Sequence, residues 1–168
     1  ANPPSAWTVI NSEVSQTANT LVNLGEAMGK APGAERPGTL FLYEPGRDFK
    51  DGELSFEIQS ADNDTVGVAF RLADAGHYYL WSMDSERGFH ALAAKDGTNY
   101  VLLAANQKGY VSGQWHEVRV RLAGPRIAVS VDGEPDVEAE DARFAAGTVA
   151  FYTWGNTGAK FRNVMFKK

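Results

Sequence analysis

The chain of 168 residues contains no cysteine, which excludes disulfide bonds and a cysteine nucleophile. Without cysteine pairing, the sequence favours neither an oxidising nor a reducing compartment for this protein. Apolar runs are also short, and none approaches the roughly 18 residues that a membrane-spanning helix needs. We expect no insertion into a membrane.

Positive charge is scarce as well. The chain has 16 Lys and Arg against 21 Asp and Glu, a formal net charge of -5, and no concentrated basic patch. A nucleic-acid partner would require such a patch to neutralise its phosphates. The sequence therefore predicts no nucleic-acid partner.

The beginning of the chain suggests its context. It starts at Ala1 without methionine, and Pro3 and Pro4 are typical of a linker. We expect a processed or excised piece of a larger multidomain chain, with residues 1–5 as a linker remnant. At about 100 to 200 residues per domain, residues 1–168 form a single domain.

Glycine and hydrophobic residues are abundant. Seventeen glycines, seven prolines and 43% hydrophobic residues fit an all-β protein better than a helical or disordered one. About eleven to thirteen predicted strands with short turns and no convincing helix favour a two-sheet antiparallel jelly-roll sandwich. The glycines and prolines of residues 25–38 predict a long loop at the rim of the domain, which is a candidate part of a binding site.

Residues 65–84 show the strand pattern most clearly, as two strands joined by a turn. The first strand has an apolar face of alternate residues, Val66, Val68, Phe70 and Leu72. Arg71 has the opposite parity, which predicts that it lies on the outer face of its sheet. If Tyr79 and Trp81 of the return strand are in the core, Tyr78 also faces outward.

Several phrases carry a resemblance to a known superfamily. They are DGELSFEIQS, DNDTVGVAFR, YYLWSMD, GQWHEVRVRLAGPRIAVSVDG and GTVAFYTWGNTGAKFRNVMF. From Asp51 to Phe166 the chain resembles the concanavalin A-like lectin/glucanase superfamily, especially its laminin G-like and bacterial carbohydrate-module branches. It also resembles the thrombospondin C-terminal lectin-like domain and, more faintly, the 3-keto-disaccharide hydrolase family. The resemblance implies a jelly roll with glycan ligands on the concave face or its rim and, often, a structural calcium.

The segment Asp62-Asn63-Asp64 offers hard oxygen ligands of the kind that calcium prefers. Asp62 and Asp64 are therefore the candidate metal ligands. The alternative is a polar β-turn capped by its own side chains. Where many relatives read Phe-Asp-Asn near the last strand, this chain reads Phe161-Arg162-Asn163, so no calcium ligand is carried over to that position.

Six residues are candidate ligand-binding residues: Arg71, Tyr78, Lys95, Tyr152, Trp154 and Asn156. The first three are predicted to share one outer sheet face, where they suit sugar hydroxyl or carboxylate groups and aromatic stacking. The last three are predicted to form one wall of a groove. The alternatives are a solvated strand face and burial at the end of the sandwich.

No catalytic signature is present. Glu53 and Glu57 share one parity, but four residues of extended strand span about 13 Å, beyond the roughly 5 to 10 Å that glycosidases use. The leading prediction is a non-catalytic carbohydrate-binding module for polysaccharide, from a secreted or cell-surface protein of bacterial type. The alternatives are a polysaccharide hydrolase or lyase on the same fold, and an adhesion or spacer domain that binds protein.

Overall fold

The computed structural model describes residues 6–18, 32, 38–156 and 158–168. In this part of the chain there are thirteen strands: β1 Ala6–Ile10, β2 Glu13–Ala18, β3 Thr39–Tyr43, β4 Gly52–Ser60, β5 Thr65–Asp74, β6 His77–Asp84, β7 Phe89–Asp96, β8 Asn99–Asn106, β9 His116–Ala123, β10 Arg126–Val131, β11 Glu134–Glu140, β12 Thr148–Trp154 and β13 Ala159–Lys167. A short 3-10 helix spans Glu44–Gly46. No helix of the described residues is long and apolar enough to cross a membrane.

The strands form two antiparallel sheets. The larger sheet has seven strands in the order β1-β2-β13-β4-β9-β10-β11, and the smaller sheet has six in the order β3-β12-β5-β6-β7-β8. The predicted all-β two-sheet sandwich is therefore confirmed. The linker predicted at residues 1–5 and most of the loop predicted at residues 25–38 lie outside the described residues.

The core lies between the sheets and is built from alternate residues of each strand. On β5 and β6 these are Val66, Val68, Phe70, Tyr79, Trp81 and Met83, all without exposed surface. The opposing strand β4 contributes Leu54, Phe56 and Ile58. The period of two that the sequence shows in these strands is thus the period of burial.

Arg71 departs from the predicted parity because β5 contains a β-bulge. Ala150 of β12 pairs with Ala69, and Thr148 pairs with Leu72. Two residues of β5 therefore stand opposite one residue of β12, and Arg71 takes a left-handed φ of 49°. The inserted residue reverses the alternation, so Leu72 joins the outer face and the Arg71 side chain turns into the protein.

The prediction that Arg71 is exposed on the outer face is wrong, since it is only 1% exposed. Its guanidinium donates hydrogen bonds to the carbonyl oxygens of Lys50, Gly124 and Phe144, at 2.9, 2.8 and 3.1 Å. It also pairs with Asp51 Oδ1 at 3.1 Å. Burial lowers the pKa of Arg71, and the Asp51 carboxylate opposes that shift. Arg71 thus joins three chain segments from inside the protein.

Candidate functional site

The outer face of the larger sheet is a charged, solvated surface. Glu53 accepts hydrogen bonds from Arg119 Nη1 and Arg121 Nε, each at 2.8 Å. On the next strand the Arg162 guanidinium lies 3.7 Å from the ring centroid of Trp115. Exposed ion pairs of this kind are typical of a face that meets water, and the arginine covers the one tryptophan on it.

The outer face of the smaller sheet has a different composition. Apolar side chains form a cluster there, separate from the core between the sheets: Ala69, Leu72, Tyr78, Leu80, Ala150, Tyr152 and Trp154, with Leu40 packed against them. None of the seven is more than 8% exposed. The centre of this face is therefore apolar and buried in the folded chain.

Gly67 lies on the floor of this face, opposite Tyr152 on one side and Ser82 on the other. A Cβ atom at Gly67 would lie 2.0 Å from the carbonyl oxygen of Trp81. That approach is too close for any side chain, so a larger residue would displace β6. The strand pairing beneath Tyr152 therefore requires glycine.

Four of the six predicted ligand-binding residues come together on this outer face: Tyr78, Lys95, Tyr152 and Trp154. Their exposure differs. Tyr152 and Trp154 are each 1% exposed and Tyr78 is 8% exposed, whereas Lys95 is half-buried. Tyr152 and Trp154 therefore pack beneath the surface of this face.

A row of three side chains crosses β6, β7 and β8 on this face, and we call it the tyrosine–lysine row. Tyr78 pairs with Lys95, and Lys95 pairs with Tyr100. Directly opposed residues place their Cβ atoms about 4.5 to 5.5 Å apart. Tyr78 is only 8% exposed, whereas Tyr100 is half-buried and neighbouring Leu102 is 40% exposed, so solvent reaches the Tyr100 end of the row.

Tyr100 is not among the residues that the sequence predicts for ligand binding. The sequence feature that could have indicated it is the Asp96-Gly97 turn, because this turn closes a hairpin and places Lys95 opposite Tyr100. Aromatic rings beside an ammonium group provide a stacking surface together with hydrogen-bond donors and acceptors. The row therefore has the chemistry expected of a surface that binds hydroxylated ligands.

Asn156 is not part of a groove wall, contrary to the prediction. It is fully buried, and its Nδ2 donates to Ser60 Oγ at 2.7 Å and to the Asp64 carbonyl at 3.3 Å. Its Oδ1 accepts from the Gly158 amide at 3.0 Å. The side chain thus ties the turn after β12 to the turn after β4.

At the same end of the smaller sheet lies a group of charged residues that we call the Arg87 cluster: Asp64, Asp84, Glu86 and Arg87. Arg87 Nη1 lies 3.0 Å from Asp64 Oδ1, 3.0 Å from Asp84 Oδ2 and 3.2 Å from Glu86 Oε2. Asp84 is completely buried and also accepts from Thr65 Oγ1 at 2.6 Å. Asp84 therefore holds the Arg87 guanidinium from the buried side of the cluster.

Both predicted calcium ligands already have partners within the chain. Calcium takes about 6 to 8 oxygen ligands, whereas Asp64 is already paired with Arg87 and Asp62 Oδ1 accepts from the Asn63 amide at 2.7 Å. In the described part of the chain, no three or more His, Cys, Asp or Glu residues are grouped to hold a metal ion. Calcium stays a prediction of the sequence.

Burial raises the pKa of Asp64 from 3.8 to about 6; Arg87 opposes the rise, and Glu86 and Asp62 add to it. Between pH 3.8 and about 6, the Asp64 carboxyl of the folded protein therefore still holds a proton that the unfolded chain has released. This group contributes stability that is fully present below pH 3.8 and is lost as the pH rises through about 6.

We therefore expect Asp64→Asn to raise the melting temperature relative to the unmodified protein more at pH about 7.5 than at pH about 4.5. The amide has no charge to bury, so it lacks the penalty that the carboxylate carries at neutral pH. Thermal melts of both proteins in the two buffers measure the difference. An equal difference at both pH values would contradict the raised pKa.

A second buried polar group lies between the sheets. Asp136 of β11 has a side chain that is only 1% exposed, and it accepts from His90 Nδ1 at 2.8 Å, Trp81 Nε1 at 2.9 Å and Asn106 Nδ2 at 2.9 Å. Burial alone would raise the pKa of Asp136, but the three donors bring it below the ordinary value. The Nζ atom of Lys108, whose side chain is exposed, lies 3.9 Å from Asp136 Oδ1.

Comparison with known proteins agrees with this architecture. A family model described as the 3-keto-alpha-glucoside-1,2-lyase-like domain matches residues 3–167. The carbohydrate-binding module CBM66 from Bacillus subtilis is 15% identical, with a TM-score of 0.78 over 100% of this chain and 94% of that one. No curated protein matches the sequence significantly.

Two other solved structures are similar. A putative glycosyl hydrolase from Parabacteroides distasonis is 10% identical, with a TM-score of 0.65 over 97% of this chain and 90% of that one. The Caenorhabditis elegans galectin LEC-6 is 10% identical, with a TM-score of 0.60 over 78% and 92% of the two chains. At such identities the likeness shows the fold, and it confirms the predicted jelly-roll sandwich.

Proposed function

Because the chain belongs to the 3-keto-alpha-glucoside-1,2-lyase-like domain family, within the concanavalin A-like superfamily, we propose that it is a non-catalytic glycan-binding module of a secreted or cell-surface protein. Its fold is that of a carbohydrate-binding module and of galectins. The fold alone does not assign a function, so the proposal depends on the chemistry of the outer face.

The observation that carries the proposal is the tyrosine–lysine row. It places two tyrosines and a lysine side by side on a face that is otherwise apolar, and its Tyr100 end is open to solvent. Sugar rings present a C–H face to aromatic rings and hydroxyl groups to polar side chains. On the outer face of the larger sheet, by contrast, charged side chains are already paired with one another, as Glu53 is with Arg119 and Arg121.

The carboxylates of the Arg87 cluster are already paired. Asp64, Asp84 and Glu86 lie 3.0, 3.0 and 3.2 Å from Arg87 Nη1, and Asp84 has no exposed surface. A carboxylate that cannot touch substrate cannot serve as nucleophile or base, so Asp84 takes no part in catalysis. The pairing of Asp64 and Glu86 with one cation supports the binding proposal over a catalytic one.

The alternative function is a polysaccharide lyase or hydrolase on the same fold. One observation favours it: burial raises the pKa of Asp64 to about 6, the range in which a carboxyl exchanges protons near neutral pH. Incubation with a polysaccharide panel, followed by reducing-end and unsaturated-uronate assays, tests it. We expect no turnover above the buffer rate, and sustained turnover would replace the binding proposal with the enzymatic one.

We expect Tyr100→Ala to weaken binding of a glycan identified on an array by roughly five- to a hundredfold, since a lost ligand contact typically costs about 1 to 3 kcal/mol. Isothermal titration calorimetry measures the affinity, and a thermal melt confirms folding. Because Tyr100 is half-buried at the sheet edge, most of the stability should remain.

The matched control is Trp115→Ala, which removes an aromatic side chain from the outer face of the other sheet. Its affinity for the same glycan should equal that of the unmodified protein. If Trp115→Ala loses binding and Tyr100→Ala retains it, the ligand lies on the larger sheet and the proposed face is wrong.

A further inference from the structure

One edge of the smaller sheet is an uncharged strand. β8 is the last strand in the order of that sheet, and among the described strands it pairs with β7 alone. Its eight residues, NYVLLAAN, include no charged side chain and no proline. None of them is buried, whereas the first six residues of β7 all are. An edge strand of this kind is a template for pairing with another chain.

The neighbouring edge of the larger sheet is protected against such pairing. β8 packs beside β11, which is the last strand of the larger sheet. Charged side chains and proline are the features by which proteins prevent pairing at a sheet edge. β11 has three exposed glutamates and an exposed proline: Glu134, Pro135, Glu138 and Glu140. On this side of the sandwich, pairing is therefore opposed at β11 and favoured at β8.

The faces of β8 match those of a second copy of the same strand. In an antiparallel pair, directly opposed residues lie on the same face of the sheet. Val101 and Ala104 both face the core side, as their partners on β7 show. Tyr100 and Ala105 both face outward. An antiparallel pair that opposes Val101 to Ala104 also opposes Tyr100 to Ala105, so both kinds of pair agree in face.

A β-bulge makes this match possible. Adjacent residues of β7 pair with Leu102 and Ala104, so Leu103 is an extra residue on β8. Under strict alternation, Val101 and Ala104 would face opposite sides because they are three residues apart. The extra residue reverses the alternation. The two halves of β8 thereby become equivalent under a two-fold axis.

The charges beyond the two ends of β8 also agree with this pairing. The same register places Lys108, just after one copy of β8, opposite Gly97, in the turn before the other copy. The side chain of Lys108 is 57% exposed, and that of Asp96, next to Gly97, is 44% exposed. The two-fold axis repeats this approach at both ends of the pair. Each end therefore brings an ammonium group towards a carboxylate, which is a favourable arrangement.

We propose that two copies of this chain associate through β8, antiparallel about a two-fold axis, and join their smaller sheets into one sheet of twelve strands, six from each copy. The occupant of the edge is a second copy because the face match and the charge match both require the same sequence on the other side. Specific interfaces bury roughly 1,200 to 2,000 Å², and one strand from each copy lies at the low end of this range. The dimer is therefore reversible and depends on concentration.

The dimer places two tyrosine–lysine rows on one continuous outer face. Each row ends at Tyr100 on β8. Five residues of strand at about 3.3 Å each separate the two Tyr100 positions by roughly 17 Å along the strand. This consequence rests on the proposed glycan-binding function: the dimer is bivalent, and two linked sites bind a repeating polymer more tightly than one site does.

Sedimentation velocity of the whole chain at about 1 to 500 μM measures the association. We expect a reversible equilibrium between monomer and dimer. Leu102→Lys places two ammonium groups near the two-fold axis, so it should raise the dimer Kd at least about tenfold. The matched control is Leu42→Lys, because Leu42 is 51% exposed on β3, the strand at the other edge of the same sheet. The control should leave the Kd unchanged, and thermal melts confirm that both variants fold.

A charge exchange tests the direction of the pairing. Lys108→Glu should raise the dimer Kd about fivefold, because it sets a carboxylate towards Asp96 at both ends of the strand pair. The double variant Asp96→Lys/Lys108→Glu restores opposite charges at both ends and should recover the original Kd. A double variant as weak as Lys108→Glu would overturn the two-fold register.

Three further results overturn the inference. They are a monomer at every concentration, a dimer whose Kd Leu102→Lys leaves unchanged, and a dimer that Leu42→Lys alone abolishes, which would place the interface at β3. Because sedimentation involves no glycan, none of these results bears on the proposed function. A dimer that binds no glycan on an array would keep the β8 interface and refute the glycan-binding function, and the bivalency with it.

Discussion

Asp136→Asn should lower the free energy of unfolding by about 3 to 5 kcal/mol, since each buried donor left without an acceptor costs about 1 to 3 kcal/mol. Asp136 Oδ1 accepts from His90 Nδ1 at 2.8 Å and from Asn106 Nδ2 at 2.9 Å, and Asp136 Oδ2 accepts from Trp81 Nε1 at 2.9 Å. Asparagine retains the shape of the side chain but replaces one acceptor oxygen with an amide group that itself donates. At least one of these buried donors therefore loses its acceptor.

Urea denaturation of Asp136→Asn measures this loss. The matched control is Asp74→Asn, which removes the carboxylate from another Asp–His contact of 2.8 Å whose side chains are 62% and 41% exposed. Solvent screens that pair, so its loss should have little effect. Equal destabilisation by the two substitutions would show that burial of the Asp136 carboxylate does not determine the cost of its loss.

Arg71→Ala should lower the free energy of unfolding by a similar amount, about 3 to 5 kcal/mol, since each buried polar group left unsatisfied costs about 1 to 3 kcal/mol. The substitution removes the donor from the carbonyl oxygens of Lys50, Gly124 and Phe144. Sequence parity predicts the reverse, a small effect on stability and a large one on ligand binding. The structure therefore changes the expected result.

Urea denaturation also measures this effect, with Arg126→Ala as control. Arg126 pairs with Glu140 on the surface, and the two side chains are 77% and 70% exposed, so this substitution should have little effect. Arg71→Lys separates charge from geometry, because lysine keeps the charge but lacks the planar fork of donors. A fully stable Arg71→Lys variant would show that charge alone is sufficient.

Several features of the fold follow from the sequence alone. The alternation of Val66, Val68 and Phe70 predicts which side chains enter the core, and each is fully buried. The same reasoning places Tyr78 and Lys95 outward, where the structure pairs them on neighbouring strands. These predictions succeed because the side-chain direction of a strand depends on local backbone geometry alone.

The bulge at Arg71 could not be predicted from the sequence. A single inserted residue reverses the alternation, and whether it occurs depends on how β5 pairs with β12. The two strands are joined in the sheet although more than seventy residues separate them in the chain. No local pattern indicates such a pairing, so the simple alternation predicts the wrong faces for Leu72 and Arg71.

The all-β class, the two-sheet sandwich and the inward or outward direction of most strand residues follow from local patterns, because hydrophobic alternation and turn chemistry act over a few neighbouring residues. The pairing of polar residues does not follow from such patterns. Asn156 with Ser60, Asp136 with His90 and Arg87 with Asp64 come from separate turns and strands. Such partnerships depend on strand order and on the stacking of the two sheets, and these are properties of the whole folded chain.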